Sequence, residues 1–133
     1  MKGAPLINLD TKEIEQKYPN DPQKGKWGRL ATRNDRKLSA QVVASALPFF
    51  YKVTLTVETT NKEIPLKGLV KFHLHNTFRN PDPVIAVQDG KAVLKLTKVY
   101  GAFTVGAEAD DGDTKLELDL SEDESFPKEF RER

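Results

Sequence analysis

The chain has 133 residues, enough for one domain that buries a core without help from a disulfide or a metal. Its 21 basic and 20 acidic residues leave a net charge of +1, so there is no overall basic field of the kind that binds nucleic acid. The lack of cysteine excludes thiol catalysis, zinc–thiolate sites and a disulfide framework, and no apolar run approaches the ~20 residues that span a bilayer.

Residues 1–26 read as a flexible, mostly charged arm without the long apolar stretch of a secretory signal, which points to a cytoplasmic protein with no membrane partner. Within the arm, Thr11 to Tyr18 suits a short helix capped by Thr11 and stopped by Pro19 and Pro22. Trp27 is expected as a lid over one end of the core. Leu38–Ala44 is a first short strand, entered through the turn-like Arg33-Asn34-Asp35-Arg36.

Phe49–Thr59 is the clearest strand. Phe49, Tyr51, Val53, Leu55 and Val57 share one face, and Phe50, Lys52, Thr54, Thr56 and Glu58 the other. The next strand, Leu66–His75, turns Val70, Phe72 and Leu74 to the core and Lys71, His73 and His75 away from it, until Pro81 and Pro83 rule out its continuation. Val84–Val87 comes next, then the hairpin signal Asp89-Gly90. Ala92, Leu94 and Leu96 then alternate with Val93, Lys95 and Thr97. Tyr100-Gly101-Ala102 interrupts, Phe103–Ala107 resumes a strand, Asp110–Asp113 turns the chain, and Leu116, Leu118 and Leu120 mark the last strand. Phe126 and Phe130 are expected to pack back on the body.

About seven to eight short strands with almost no helical period give an all-β class, an immunoglobulin-like two-sheet sandwich of antiparallel strands. The body spans 27–130, with 131–133 as a tail. Its core should hold Val53, Leu55, Val57, Val70, Phe72, Leu74, Phe103, Val105, Leu116 and Leu118.

No constellation supports an enzyme. There is no Gly-x-Ser-x-Gly turn and no glycine loop opening a helix. His73 and His75 lack a third metal ligand. Asp110-Asp111-Gly112-Asp113 lacks the spacing and closing Glu of a calcium loop and reads as a polar hairpin turn. No metal and no cofactor are expected. What remains is binding by shape, at the rim where a strand hands His75, Thr77 and Phe78 to a loop.

Those residues carry a resemblance. Leu74-His75-Asn76-Thr77-Phe78, with Pro81 nearby, is similar to the core motif of YEATS domains, immunoglobulin-like sandwiches that read acylated lysine. Tyr100-Gly101-Ala102-Phe103 resembles the family's second site segment. The run Gly101–Leu120, like the segment from Trp27-Gly28 to Leu38-Ser39-Ala40, resembles the prokaryotic branch, pYEATS. The resemblance implies an aromatic slot for an acetyl- or crotonyl-type lysine or a similar flat ligand. Phe78 and Tyr100 would be its walls, Thr77 would bond the acyl amide, His75 would pack on the chain of the modified lysine and orient Thr77 or the loop, and the N–H of Gly101 or Ala102 would donate to the acyl carbonyl. It implies as partners an acylated-lysine peptide or protein and an effector domain, the module being the sensor part of a prokaryotic conflict or defence protein. The alternative is a protein–protein interaction or structural domain whose slot is filled by its own side chains.

Overall fold

The structure, a computed structural model, describes residues 20–133; the helix expected between Thr11 and Tyr18 lies outside them. The described chain runs β1 (Thr32–Arg33), β2 (Arg36–Ala44), β3 (Tyr51–Thr59), β4 (Leu69–His73), β5 (Val84–Ala86), β6 (Lys91–Val99), β7 (Thr104–Ala109) and β8 (Thr114–Asp119), with a short helix, Lys128–Glu132, near its end. Two four-stranded antiparallel sheets form, in the orders β1-β2-β3-β6 and β5-β4-β7-β8. This is the all-β sandwich that the two-residue periods require.

Register explains the core. Leu38 pairs with Val57 and Ala40 with Leu55 across β2 and β3, while Leu55 pairs with Leu94 and Val57 with Ala92 across β3 and β6. In the other sheet Phe72 faces Ala107, which faces Leu116. Same-parity pairing puts these side chains on one face of each sheet, and the two faces close on each other. Of the expected core residues all but Leu118 are buried; Leu118 is half-buried against the cluster. Phe130 is completely buried, its ring edge-on to Tyr51 at 5.2 Å, and Phe126 packs beside it, so the C-terminal segment is part of the body.

Three expectations are corrected. Phe49 is not on the buried face of β3: it precedes the strand, has φ 70° and is 72% exposed. The reversal that closes on the Phe50 N–H to Leu47 carbonyl bond turns it outward. Strand β4 ends at His73 rather than His75. Beyond the ladder, the N–H groups of Phe72 and Leu74 donate to the carbonyls of Pro83 and Pro81, so the prolines serve as acceptors where they cannot donate.

The third correction concerns the outer face of the β4–β7–β8 sheet. Alternation alone turns His73 away from the core into the open, but it is 6% exposed, with Trp27 stacked over it. Trp27 caps this outer face rather than an end of the core. Its ring stacks on His73, and an added Cβ at Gly106 would lie 2.2 Å from its Cδ1. Only glycine admits the indole there.

Residues 20–26, assigned by sequence to the arm, are tied to the sandwich. Asp21 accepts from the Thr104 N–H and hydroxyl at 2.9 and 2.7 Å. Gln23 donates to the Leu74 carbonyl and accepts from the Trp27 indole. The N–H groups of Gly25 and Trp27 donate to the buried Glu117 carboxylate. Lys24 meets Asp119 at 3.0 Å. Burial alone would raise the Asp119 pKa, but bonds from Ser121 and Lys24 outweigh it and hold the carboxyl below its usual range, while Asp119 raises Lys24.

Asn34 and Asp35, both at positive φ, close the β1–β2 hairpin. Asp89-Gly90, also at positive φ, makes a tight turn closed by the Gln88–Lys91 bridge but not the expected hairpin of β5 and β6, since it carries the chain from one sheet to the other. Asp110–Gly112 joins β7 to β8, but Asp110 is more than a polar turn residue. It takes the fork of buried Arg36 at 3.1 and 3.0 Å.

Candidate functional site

The pairing of His73 with Gly106 places the loop that leaves β4 and the segment that enters β7 at the same end of the sandwich. The six sequence-predicted residues therefore share one end, as two groups.

The first group is His75, Thr77 and Phe78. The Nε2 of His75 lies 3.0 Å from the Asn20 carbonyl, which can only accept, so the proton sits on Nε2. Its Nδ1 takes the Thr77 N–H at 3.2 Å, which can only donate, so Nδ1 is the bare nitrogen of a neutral ring. The Thr77 hydroxyl, 2.8 Å from the same Nδ1, must then point its hydrogen at the imidazole. Its oxygen lone pairs are left toward solvent, since Thr77 is exposed. The loop thus presents a hydroxyl oriented as an acceptor. Phe78 is half-buried and leans on Phe103, ring centroids 5.2 Å apart at 56°.

The second group is Tyr100, Gly101 and Ala102. Tyr100 is 58% exposed, with its ring edge-on to Phe50 at 6.2 Å. The Arg133 guanidinium lies over that ring, 4.5 Å from the centroid, and donates to the carbonyls of Tyr100 and Phe49. A Cβ at Gly101 would come within 2.5 Å of the Arg133 Cβ, so this glycine is where the C-terminal segment crosses the chain. The Ala102 N–H donates to the Phe130 carbonyl at 2.9 Å. That corrects one expectation: the Ala102 N–H is committed within the fold and is not an open donor for a ligand.

Phe78 and Tyr100 therefore flank one end without touching. Among the described residues each ring contacts a different aromatic partner, Phe103 or Phe50. Beside Phe78 a groove of about 380 Å³ opens between β6 and the loop after β4, its apolar floor including Leu74, Leu94 and Leu96.

The two histidines do not form a joint metal site. The Nδ1 and Nε2 of His73 face Asp82 at 2.8 Å and Glu108 at 2.6 Å, and both nitrogens of His75 are engaged by Thr77 and Asn20. Sequence reasoning missed three participants. Asn20 sets the His75 tautomer, Phe103 backs Phe78, and Arg133 covers Tyr100. The His-x-Thr spacing was a readable signal. Nothing in the sequence marks Asn20 or Arg133, which act across 55 and 33 residues of chain.

Among the described residues no helix is long and apolar enough to cross a membrane. No curated protein matches the chain. A family model described as the prokaryotic YEATS domain, pYEATS, matches residues 51–121, more than half of the chain and a range that holds His75, Thr77, Phe78 and Tyr100. The chain therefore belongs to the pYEATS family.

Proposed function

We propose that this pYEATS domain is a recognition module, not an enzyme, and that it takes an acylated lysine or a similarly flat, neutral amide at the end of the sandwich that carries Thr77, Phe78 and Tyr100. The observation that carries the reading is the fixed Thr77 hydroxyl. With its hydrogen given to His75 Nδ1, its oxygen is set to accept the N–H of a secondary amide. An acyl-lysine brings that N–H together with a planar, uncharged group that aromatic faces accept, with Phe78 and the exposed Tyr100 ring nearby. An unmodified ammonium loses hydration on entering such a site, at a cost of several kcal/mol when unpaired. In a larger protein the module would act as the sensor joined to an effector domain of a prokaryotic conflict or defence system.

The test is a titration of the intact domain with acetyl-, crotonyl- and unmodified-lysine peptides, repeated with Thr77→Val. Binding of an acylated peptide, weakened in Thr77→Val, supports the reading; no acylated peptide binding better than the unmodified one defeats it.

A second reading has its own observation. Arg133 sits on Tyr100, and the Ala102 N–H is spent on Phe130, so this flank of the site is covered by the chain itself. A domain that is closed in this way would serve protein–protein contact rather than amide reading. Repeating the titration with Arg133→Ala separates the two, because an open flank that still binds no acyl-lysine favours the contact role.

A further inference from the structure

Strand β6 ends its sheet, with β3 on one side and, among the described residues, only the single bridge of its own turn, Gln88 to Lys91, beyond that ladder. Its regular stretch, residues 92–96, runs up to a register shift against Tyr51–Val53, and an edge stretch of that kind is a template for another strand. Beside it runs the groove of about 380 Å³ next to Phe78. Its lining joins apolar Leu74, Phe78, Leu94 and Leu96 to the cations Arg79, Lys95 and Lys98, and no carboxylate takes part. Among the described residues no carboxylate comes within ion-pair distance of these three cations.

Leu94 and Leu96 have the parity of the core face yet stay half-buried, because β5, the opposing edge strand, is only three residues long and leaves the sandwich open on this side. Lys95 and Thr97 have the opposite parity and are exposed. A lysine on a free edge by itself discourages strand addition. Here the cations flank an apolar trench, so an unlike-charged strand meets attraction where a like-charged or neutral one does not.

We propose that β6 and this groove bind an extended acidic peptide by strand addition. A strand laid along β6 has residues of alternating parity. Those level with Leu94 and Leu96 turn into the trench and must be apolar, and those level with Lys95 and Thr97 turn to solvent beside the cations and must be acidic. The ligand is therefore a segment in which Glu or Asp alternates with Val, Ile or Leu. The ligand needs no lysine, although the trench shares Phe78 with the amide-reading site.

The probe is a fluorescein-labelled ten-residue peptide of alternating Glu and Val, titrated into the full chain by anisotropy. Amide hydrogen exchange along 91–99 is followed with and without it. The expected result is saturable binding that weakens at least tenfold from 50 to 500 mM NaCl, with slowed exchange in β6. Binding should drop at least tenfold in Lys95→Glu/Lys98→Glu, two exposed changes whose fold is checked by circular dichroism. The proposal is overturned if the peptide does not bind or if β6 exchange is unchanged on binding. It is equally overturned if a Glu-Val peptide of the same composition with proline at every third position, or a poly-dT oligonucleotide, binds as tightly. Either of those results would mean that charge alone is being read.

Discussion

Trp27 lies flat on His73, ring centroids 4.0 Å apart and planes 10° from parallel. The imidazole beneath it points each nitrogen at a carboxylate, Asp82 and Glu108. The indole face thus covers an imidazole whose two nitrogens both lie within hydrogen-bond reach of a carboxylate. One aromatic stack thus joins the N-terminal segment, β4, β7 and the loop that leads to Thr77.

Trp27→Ala should cost about 3 kcal/mol in urea denaturation, near the low end for large-to-small changes because Trp27 is only half-buried. Gly106→Ala should destabilise as well, since its methyl takes the space of the indole edge. If Gly106→Ala leaves the urea midpoint and the Trp27 emission maximum unchanged, the indole does not sit where described.

Arg36 predicts the acid limb of stability. Its guanidinium, 4% exposed, bonds both oxygens of Asp110, and that hydrogen bonding holds the Asp110 carboxyl below its usual 3.8. A folded-state pKa below the unfolded one adds stability that is fully present above about pH 4 and is lost as pH falls through the folded value. Melting temperature should therefore drop on acidification below pH 4 more steeply in the wild type than in Asp110→Asn. Asp110→Ala at neutral pH should cost about 2–3 kcal/mol, less than a fully buried pair because Asp110 is partly exposed, by leaving Arg36 without its carboxylate. Equal acid slopes in wild type and Asp110→Asn would remove the assignment.

Thr77→Val keeps the shape of the side chain and deletes the hydroxyl. Acyl-lysine affinity should fall by about fivefold, near 1 kcal/mol, with melting temperature nearly unchanged, because the side chain is exposed. Thr77→Ser should restore most of it. A drop in stability that matches the drop in binding would show Thr77 to be a structural residue.

Arg133→Ala should uncover the Tyr100 face and strengthen binding of an acylated peptide, since a ligand no longer competes with the guanidinium. Gly101→Ala should push the C-terminal segment away and give the same gain at a cost in stability. Calorimetric titration of both variants checks this; unchanged affinity in both would mean that the ligand does not use Tyr100.

The sandwich was readable because alternation in Val53–Val57, Val70–Leu74 and Leu116–Leu120 is a local property, and Asn34-Asp35 and Asp89-Gly90 announce their turns by conformation. His73 was misplaced for the opposite reason. Its parity was right, but a sheet face is open or covered according to another segment, here Gln23 to Trp27, whose polar residues carry no period. The site was legible as far as the spacing His75-x-Thr77-Phe78 extends. Arg133 over Tyr100 depends on where a distant helix docks through Phe130, and that comes from packing volume rather than from any pattern near Tyr100.

The order of strands in the two sheets has a consequence for how the molecule forms. The chain changes sheet between β3 and β4, between β5 and β6, and between β6 and β7, so the first sheet is complete only after the second has been begun. The pairings β1–β2, β2–β3, β4–β5 and β7–β8 join neighbours in sequence, but β3–β6 and β4–β7, which complete the two sheets, each close a longer loop first. Folding should therefore be slow for the chain's length, on the millisecond-to-second scale of non-local β topologies, and all-or-none. A nascent chain that stops before β6 would hold two partial sheets with open edges, the state in which this protein is most exposed to aggregation.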